Sequence, residues 1–410
     1  MRILFICDLN SIHSQKWIRY FIESRSEIYI YSTTQFDNNF FGAKVFSKGS
    51  AVPPTNVLNK KWVSPFFKLR ISAFAAGIAE KMFLRRKISA LVSSTYSLRD
   101  AIEEILPSIK PDIIHCLRLP NEGFIGAKLS SALPLVVSTW GNDLAYWAEM
   151  PTFRKLTEDT LGRADFLFAD CERDVRLARK YGFSNRKPFV VLPGAGGMMP
   201  EDLEAGKESL KSRTDFFKEN FAIEGRPILL SLRGFGSQDI DNIPLLKACT
   251  LLAGRGVDFR LVIAGKKNGF RYFKLQRFIK THRLEGKVFL VDEMPHGKAL
   301  EALRAADFSV SISRNDGTPN SMLEAMTFGA IPLMSDIESI REWIKEGING
   351  YLFNPLDPES IANQVHAAIN GESKRDSMRS LNYDVIVERA EYSANMERAE
   401  SELSKLVGRG

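Results

Sequence analysis

Cysteine, histidine and long apolar runs are scarce in this chain, and each scarcity removes a class of protein. The 410 residues hold four cysteines, Cys7, Cys116, Cys171 and Cys249, with no C-x-x-C pair. Set in apolar segments, they read as core thiols in a reducing cytoplasm rather than as a disulfide framework. The 5 histidines show no paired spacing, so no structural metal is expected. No apolar run approaches the roughly 20 residues of a membrane span. The run from Ile3 to Cys7 is cut by Asp8, which makes it too short for a signal-peptide core and reads as a first strand. The loop after it, from Asp8 to Ser14, lacks a Gly-x-Gly-x-x-Gly fingerprint, so no dinucleotide cofactor is expected. Internal repeats and low-complexity tracts are also missing.

What is present suits a globular protein with more than one core: 44% hydrophobic and 26% charged residues over a length that favours two α/β domains. In the first half, Arg2–Cys7, Glu27–Ser32, Asp112–Leu117, Leu135–Thr139, Phe166–Ala169 and Phe189–Leu192 read as buried parallel strands. Helical patterns such as Ser14–Ser24 and Arg173–Tyr181 lie between them. In the second half, Pro227–Leu232, Phe259–Ala264, Val288–Val291, Phe308–Ile312, Ile331–Met334 and Tyr351–Phe353 repeat the alternation. Strand alternating with helix implies doubly wound parallel sheets, which bind ligands at the carboxyl ends of their strands. The expected division is a first domain over 1–195, a Pro/Gly-punctuated linker over 196–225, a second domain over 226–375 and a charged terminal helix over 376–410.

The most informative stretch runs from Asp307 to Gly329: an apolar strand, the polar turn Arg314-Asn315-Asp316-Gly317, then Thr318-Pro319 ahead of a helix. Thr318 is expected as the N-cap with Pro319 at the first helical position, and Gly329 as the C-terminal stop. Helix amides at Asn320 and Ser321 would then face the carboxyl edge of a strand, a site for phosphate. Glu324 is expected to lean back over Asn320 and Ser321. Read singly, Asp316 is a turn residue and Glu324 a carboxylate bonded to some backbone amide; read with the helix start, they bracket a ligand.

This stretch resembles the acid-x7-Glu signature of the retaining glycosyltransferases of family 4, with Asp316 where most members carry Glu; Ala325 to Pro332 resembles the usual continuation. The resemblance extends over nearly the whole chain. It implies two Rossmann-like domains facing across a cleft (the GT-B fold), a nucleotide-sugar donor, a glycan or lipid-linked acceptor, and no required metal or cofactor. It further implies that Asp316 holds donor-sugar hydroxyls, that Glu324 holds the ribose, and that Gly317, Thr318, Asn320 and Ser321 line the donor. Arg233, just past the first strand of the second half, matches the family's diphosphate-binding Arg. The companion Lys is replaced by Ser237-Gln238-Asp239, and Lys266 or Lys267 at the next strand end is the substitute considered. The terminal helix is expected to cross back onto the first domain.

Three strand ends of the first half carry further candidates. Asn10, Ser11 and His13 follow the first strand, where the family loop lies over donor and acceptor; a plain helix-capping turn is the other reading. His115 stands where members often show His-x-His, but Leu117 takes the second place, and a lone histidine here reads first as a hydrogen-bonded core residue. Trp140-Gly141-Asn142-Asp143 resembles a subgroup with Trp-Gly-x-Asp, with Trp140 where other members carry a donor-contacting His. Asp143 is a candidate to hold a hydroxyl or take a proton, or an N-cap.

Residues 60–87 set eight cations against a single acid, Glu80, with Trp62, Phe66, Phe67, Phe74, Met82 and Phe83 interleaved. Such a segment reads as a peripheral contact with the inner face of the cell membrane, or else as a solvated basic face; no nucleic-acid motif accompanies it. The reading is therefore a cytoplasmic glycosyltransferase of cell-surface polysaccharide synthesis. A sugar-nucleotide 2-epimerase of the same architecture, and a catalytically degenerate subunit that binds membrane or partner, are the rivals.

Overall fold

The computed structural model describes residues 1–36, 40–47, 95, 97–210, 214–225, 227–237 and 239–408. The basic-aromatic segment 60–87 lies outside them.

Two compact units form. The first holds Met1–Ala195 with Met396–Gly410, the second Gly196–Asn395. The first is built on β1 (Arg2–Cys7), β2 (Glu27–Ser32), β3 (Lys44–Ser47), β4 (Ile113–Cys116), β5 (Leu135–Ser138), β6 (Phe166–Ala169) and β7 (Phe189–Val191). The second is built on β8 (Ile228–Ser231), β9 (Arg260–Ala264), β10 (Val288–Val291), β11 (Phe308–Ser311), β12 (Ile331–Ser335) and β13 (Tyr351–Phe353). Every pairing is parallel, in the orders β3-β2-β1-β4-β5-β6-β7 and β10-β9-β8-β11-β12-β13. Residues of β4, β5, β6, β8, β11 and β12 are buried throughout, because helices cover both faces of each sheet. That burial is why the strands read as continuous apolar runs. The half-exposed edge strand β3, with its Lys and Ser, gave no such run and was not expected.

Both orders reverse beside the first strand of the sheet: β1 lies between β2 and β4, and β8 between β9 and β11. Crossovers leave in opposite directions there, so a crevice opens at the carboxyl ends of β1/β4 and of β8/β11.

The helices Pro200–Ser209 and Phe216–Phe221 belong to the second unit, with Met198, Leu203, Phe216 and Phe217 in its core. Gly206 packs so closely that a Cβ would stand 2.5 Å from the Thr327 methyl. The expected terminal helix is two, Arg375–Arg389 and Tyr392–Val407. The break is fixed where Met198 N donates to Ala390 O at 2.6 Å and Tyr392 N donates to Met198 O at 2.9 Å. Gly197, at φ +106, is required there, since a Cβ would meet the Ala390 carbonyl. Beyond Met396 the chain belongs to the first unit, where Glu400 accepts from Tyr20 at 3.2 Å and Ser24 at 2.7 Å.

Candidate active site

The crevice of the second unit is built from the loop after β8 and the turn after β11. Arg233 leaves the first and Asp316 the second, and Arg233 Nη2 lies 2.6 Å from Asp316 Oδ2. Asp316 is held on its other sides. Its Oδ1 accepts from the Gly317 amide at 3.1 Å, and its carbonyl accepts from Ser339 Oγ at 2.7 Å. Asp239 joins the group: its carbonyl accepts from Arg314 N at 2.9 Å, and burial, with Asp316 nearby, raises its carboxyl above the usual range.

The helix expected after this turn spans Asn320–Phe328, one residue later than its sequence signals. Pro319 is extended (φ −70°, ψ 126°) and its carbonyl accepts from both Met322 N and Leu323 N. The N-cap position falls to Pro319 rather than Thr318, whose Oγ1 accepts from the Trp343 indole at 3.2 Å. Gly329 closes the helix in the left-handed region at φ +85. Along the helix only Asn320, Ser321 and Glu324 are partly open, and all others are buried. These three share one face, so Glu324 lies over the first turn as its spacing required.

Glu324 has a partner that sequence reasoning missed. Its Oε1 lies 3.0 Å from His296 Nε2, at the first residue of the helix His296–Ala305. Pro295-His296 just beyond β10 was the available signal: another helix start at the same sheet edge. Lys266 is ion-paired with Glu293 at 3.2 Å, with both side chains well exposed.

In the first unit the structure separates the candidates. Asn10 Nδ2 donates to Thr34 Oγ1 at 2.9 Å and to Gln35 O at 3.0 Å, which ties the loop after β1 to the end of β2. Ser11 precedes the helix Ile12–Glu23 but makes no side-chain cap. His13 meets Trp140 edge-on, with centroids 6.1 Å apart.

Burial bears on both His115 and Asp143, and for His115 it bears out the first reading, a hydrogen-bonded core histidine. His115 is fully buried beside Phe5, Trp17 and Phe168, with Nε2 2.9 Å from Ser138 Oγ, and burial pushes its pKa down to about 3. It is a neutral core histidine. Asp143 is equally buried and neither caps a helix nor reaches a surface. Its carboxylate accepts from Arg118 Nε at 2.9 Å, Trp140 N at 3.0 Å and Leu119 N at 3.4 Å. It braces the turn that presents Trp140, while Arg173 Nη2 donates to Gly141 O at 2.9 Å from below. Burial raises the Asp143 carboxyl despite these partners.

The sequence reading also passed over Glu122. It is buried behind the loop after β4, where Arg118 (φ +132) and Asn121 (φ +71) hold strained backbone. Thr33 Oγ1 and Asn121 Nδ2 donate to its Oε1 at 2.8 and 3.2 Å. Burial pushes its pKa up to about 7.

Comparison with known proteins places this geometry. Residues 212–384 match the family described as glycosyl transferases group 1, and residues 71–170 match glycosyl transferase 4-like. A GDP-mannose:cellobiosyl-diphosphopolyprenol alpha-mannosyltransferase of Xanthomonas oryzae pv. oryzae is 32% identical over 305 residues, 72% of this chain and 74% of that one. The chain belongs to the group 1 glycosyltransferases. Its fold is the two-domain Rossmann-like GT-B architecture. A sucrose-phosphate synthase from Thermosynechococcus elongatus superposes with TM-score 0.73 at 12% identity over 100% of both chains. Anabaena HepE, solved with UDP and glucose, superposes with TM-score 0.68 at 14% identity over 98% of this chain and 99% of its own.

A guanidinium, a carboxylate and the first turn of a helix thus meet at one sheet edge of the second unit.

Proposed function

We propose that this glycosyltransferase is retaining and metal-independent and moves a hexosyl group from a nucleotide sugar to a lipid-linked glycan. The step would belong to cell-surface polysaccharide synthesis at the inner face of the cell membrane. The observation that carries the reading is the 2.6 Å contact of Arg233 with Asp316, beside the first turn of the helix Asn320–Phe328. In this reading Asp316 holds sugar hydroxyls and Glu324, steadied by His296, holds the ribose. As the bond from C1 to the phosphate oxygen breaks, charge grows on the leaving phosphate. Arg233 and the helix amides are preorganised to stabilise it, with Lys266 or Lys267 as a second cation. The acceptor oxygen bonds to C1 on the face being vacated, and its proton passes to the leaving phosphate oxygen. Asp143 acts through the turn it braces and takes no proton; the Trp-Gly-x-Asp subgroup is retained on that basis.

The Xanthomonas relative supports a lipid-diphosphate acceptor and makes GDP-mannose the first donor to try. Peripheral membrane contact through residues 60–87 belongs to the same reading. The test is to incubate the protein with GDP-mannose and a lipid-diphosphate-linked disaccharide, with and without EDTA, and to read the anomeric configuration of the product by NMR. Transfer with α configuration in EDTA is expected. A β-linked product, a requirement for added metal, or accumulation of an epimerised sugar nucleotide without transfer would overturn it.

A further inference from the structure

The helix Gly269–Thr281, which follows β9, carries a surface that the transfer chemistry does not use. Leu275 and Ile279 are buried against the second unit, and Tyr272 packs on Phe235 with centroids 5.3 Å apart. On the outer face Phe270 and Phe273 are 65% and 60% exposed. Lys274 and Arg277 continue the same stripe one and two turns beyond Phe270. Between Lys266 and Arg283 the chain has seven Lys and Arg residues and no Asp or Glu. Lys266 is taken by Glu293, and Arg271 donates to Gly236 O at 2.6 Å. Lys274, Arg277 and Lys280 are exposed and pair with no carboxylate among the described residues.

A solvated face would not set two phenylalanines three residues apart in water, and an apolar groove on a protein partner would not want them ringed by unpaired cations. Rings flanked by cations on one helical face match the boundary of an anionic bilayer. There the aromatic groups reach the acyl region, and lysine and arginine stems lie along it with their charges at the headgroup phosphates. We propose that the helix Gly269–Thr281 is a docking surface for anionic membrane, with Phe270 and Phe273 inserting and Lys274, Arg277 and Lys280 meeting headgroups. The inference goes beyond the transfer reaction and needs neither a particular donor nor residues 60–87.

The surface is mechanically tied to the site. Arg271 and Tyr272 hold Gly236 and Phe235 of the loop after β8, which carries Arg233. A Cβ at Gly265 would stand 2.9 Å from Phe235 N, so the two loops are in close contact. Docking would therefore steady the loop that carries the diphosphate cation.

The full chain is tested by co-sedimentation with vesicles of phosphatidylcholine alone and with about one third phosphatidylglycerol. Phe270→Ser/Phe273→Ser and Lys274→Glu/Arg277→Glu are the two variants, each with its thermal unfolding measured. The parent is expected on anionic vesicles only, and each variant is expected to partition about tenfold less or worse. Equal partition of both variants would overturn the proposal, as would no vesicle binding by the parent. Loss on charge reversal with none on removal of the rings would point instead to an acidic macromolecule, and overturns the bilayer reading too. Nucleotide-sugar binding measured without vesicles reads the transferase proposal separately and is expected to be unchanged in both variants.

Discussion

Arg233 and Asp316 are 83 residues apart in sequence and 2.6 Å apart in space. Nothing local joins them. They meet because β8 and β11 are neighbours at the point where strand order reverses, so the loops that leave them border one crevice. Asp316→Asn removes the charge that holds Arg233 in place and turns one of the two carboxylate oxygens proposed to hold sugar hydroxyls into a donor; kcat is expected to fall by about 10²- to 10³-fold. Arg233→Lys keeps the charge but loses the planar fork, and a fall of about tenfold or more is expected. Steady-state transfer assays on both variants check this.

Glu324 and His296 are expected to act on donor binding rather than on the chemical step. Glu324→Gln should raise the donor dissociation constant about tenfold, and His296→Ala by less, because it removes only the neighbour 3.0 Å away that positions the carboxylate. Calorimetry with a nucleotide lacking ribose hydroxyls supplies the control. If Glu324 grips the ribose, both variants should bind that analogue as the parent does.

Asp143 is expected to report on stability. Asp143→Ala leaves the Trp140 amide without its acceptor, while Arg118, whose side chain is 43% exposed, can turn to water; a cost of about 1–3 kcal/mol is expected. Urea unfolding followed through the first unit measures it.

Glu122 gives a pH signature of known sign. Its pKa is raised from 4.5 to about 7 in the folded chain, so the folded state keeps a proton that the unfolded state gives up. Its contribution is fully present below about pH 4.5 and is lost as pH rises through about 7, a swing of at most about 3 kcal/mol. Arg118 and Asp8 are the charges that act on it, the first lowering and the second raising its pKa. Glu122→Gln keeps an acceptor for Thr33 and cannot ionise. The stability of the parent minus that of the variant should therefore decline between about pH 4.5 and 7. Denaturant titrations across that range test it; a flat difference would show that Glu122 is not held protonated. His115, depressed to about 3, has the opposite sign and acts in both proteins alike.

Gly206→Ala tests the packing behind the donor site. The added methyl would meet Thr327 Cγ2 at 2.5 Å and Thr327 O at 2.7 Å, forcing the helix Pro200–Ser209 away from Asn320–Phe328. A loss of about 1–3 kcal/mol is expected, with weakened donor binding in the fraction that stays folded. Thermal unfolding and calorimetry on one preparation report both.

The sequence alone determined the alternation of strand and helix, twelve of the thirteen strands, the turn around Asp316 with the helix start after it to within one residue, and the shared face of Asn320, Ser321 and Glu324. These are properties of neighbours along the chain: apolar runs, turn chemistry and the pitch of a helix. Strand order was decided by folding, and with it the placement of Arg233 against Asp316, because pairing partners lie tens of residues apart. Burial was decided there too. His115 and Asp143 carry the same side chains whether they face a ligand or a core, and only packing shows that one is sealed among aromatic rings and the other braces a turn. His296 reached Glu324, and Glu122 its proton, through contacts 28 and 89 residues distant that no local pattern records.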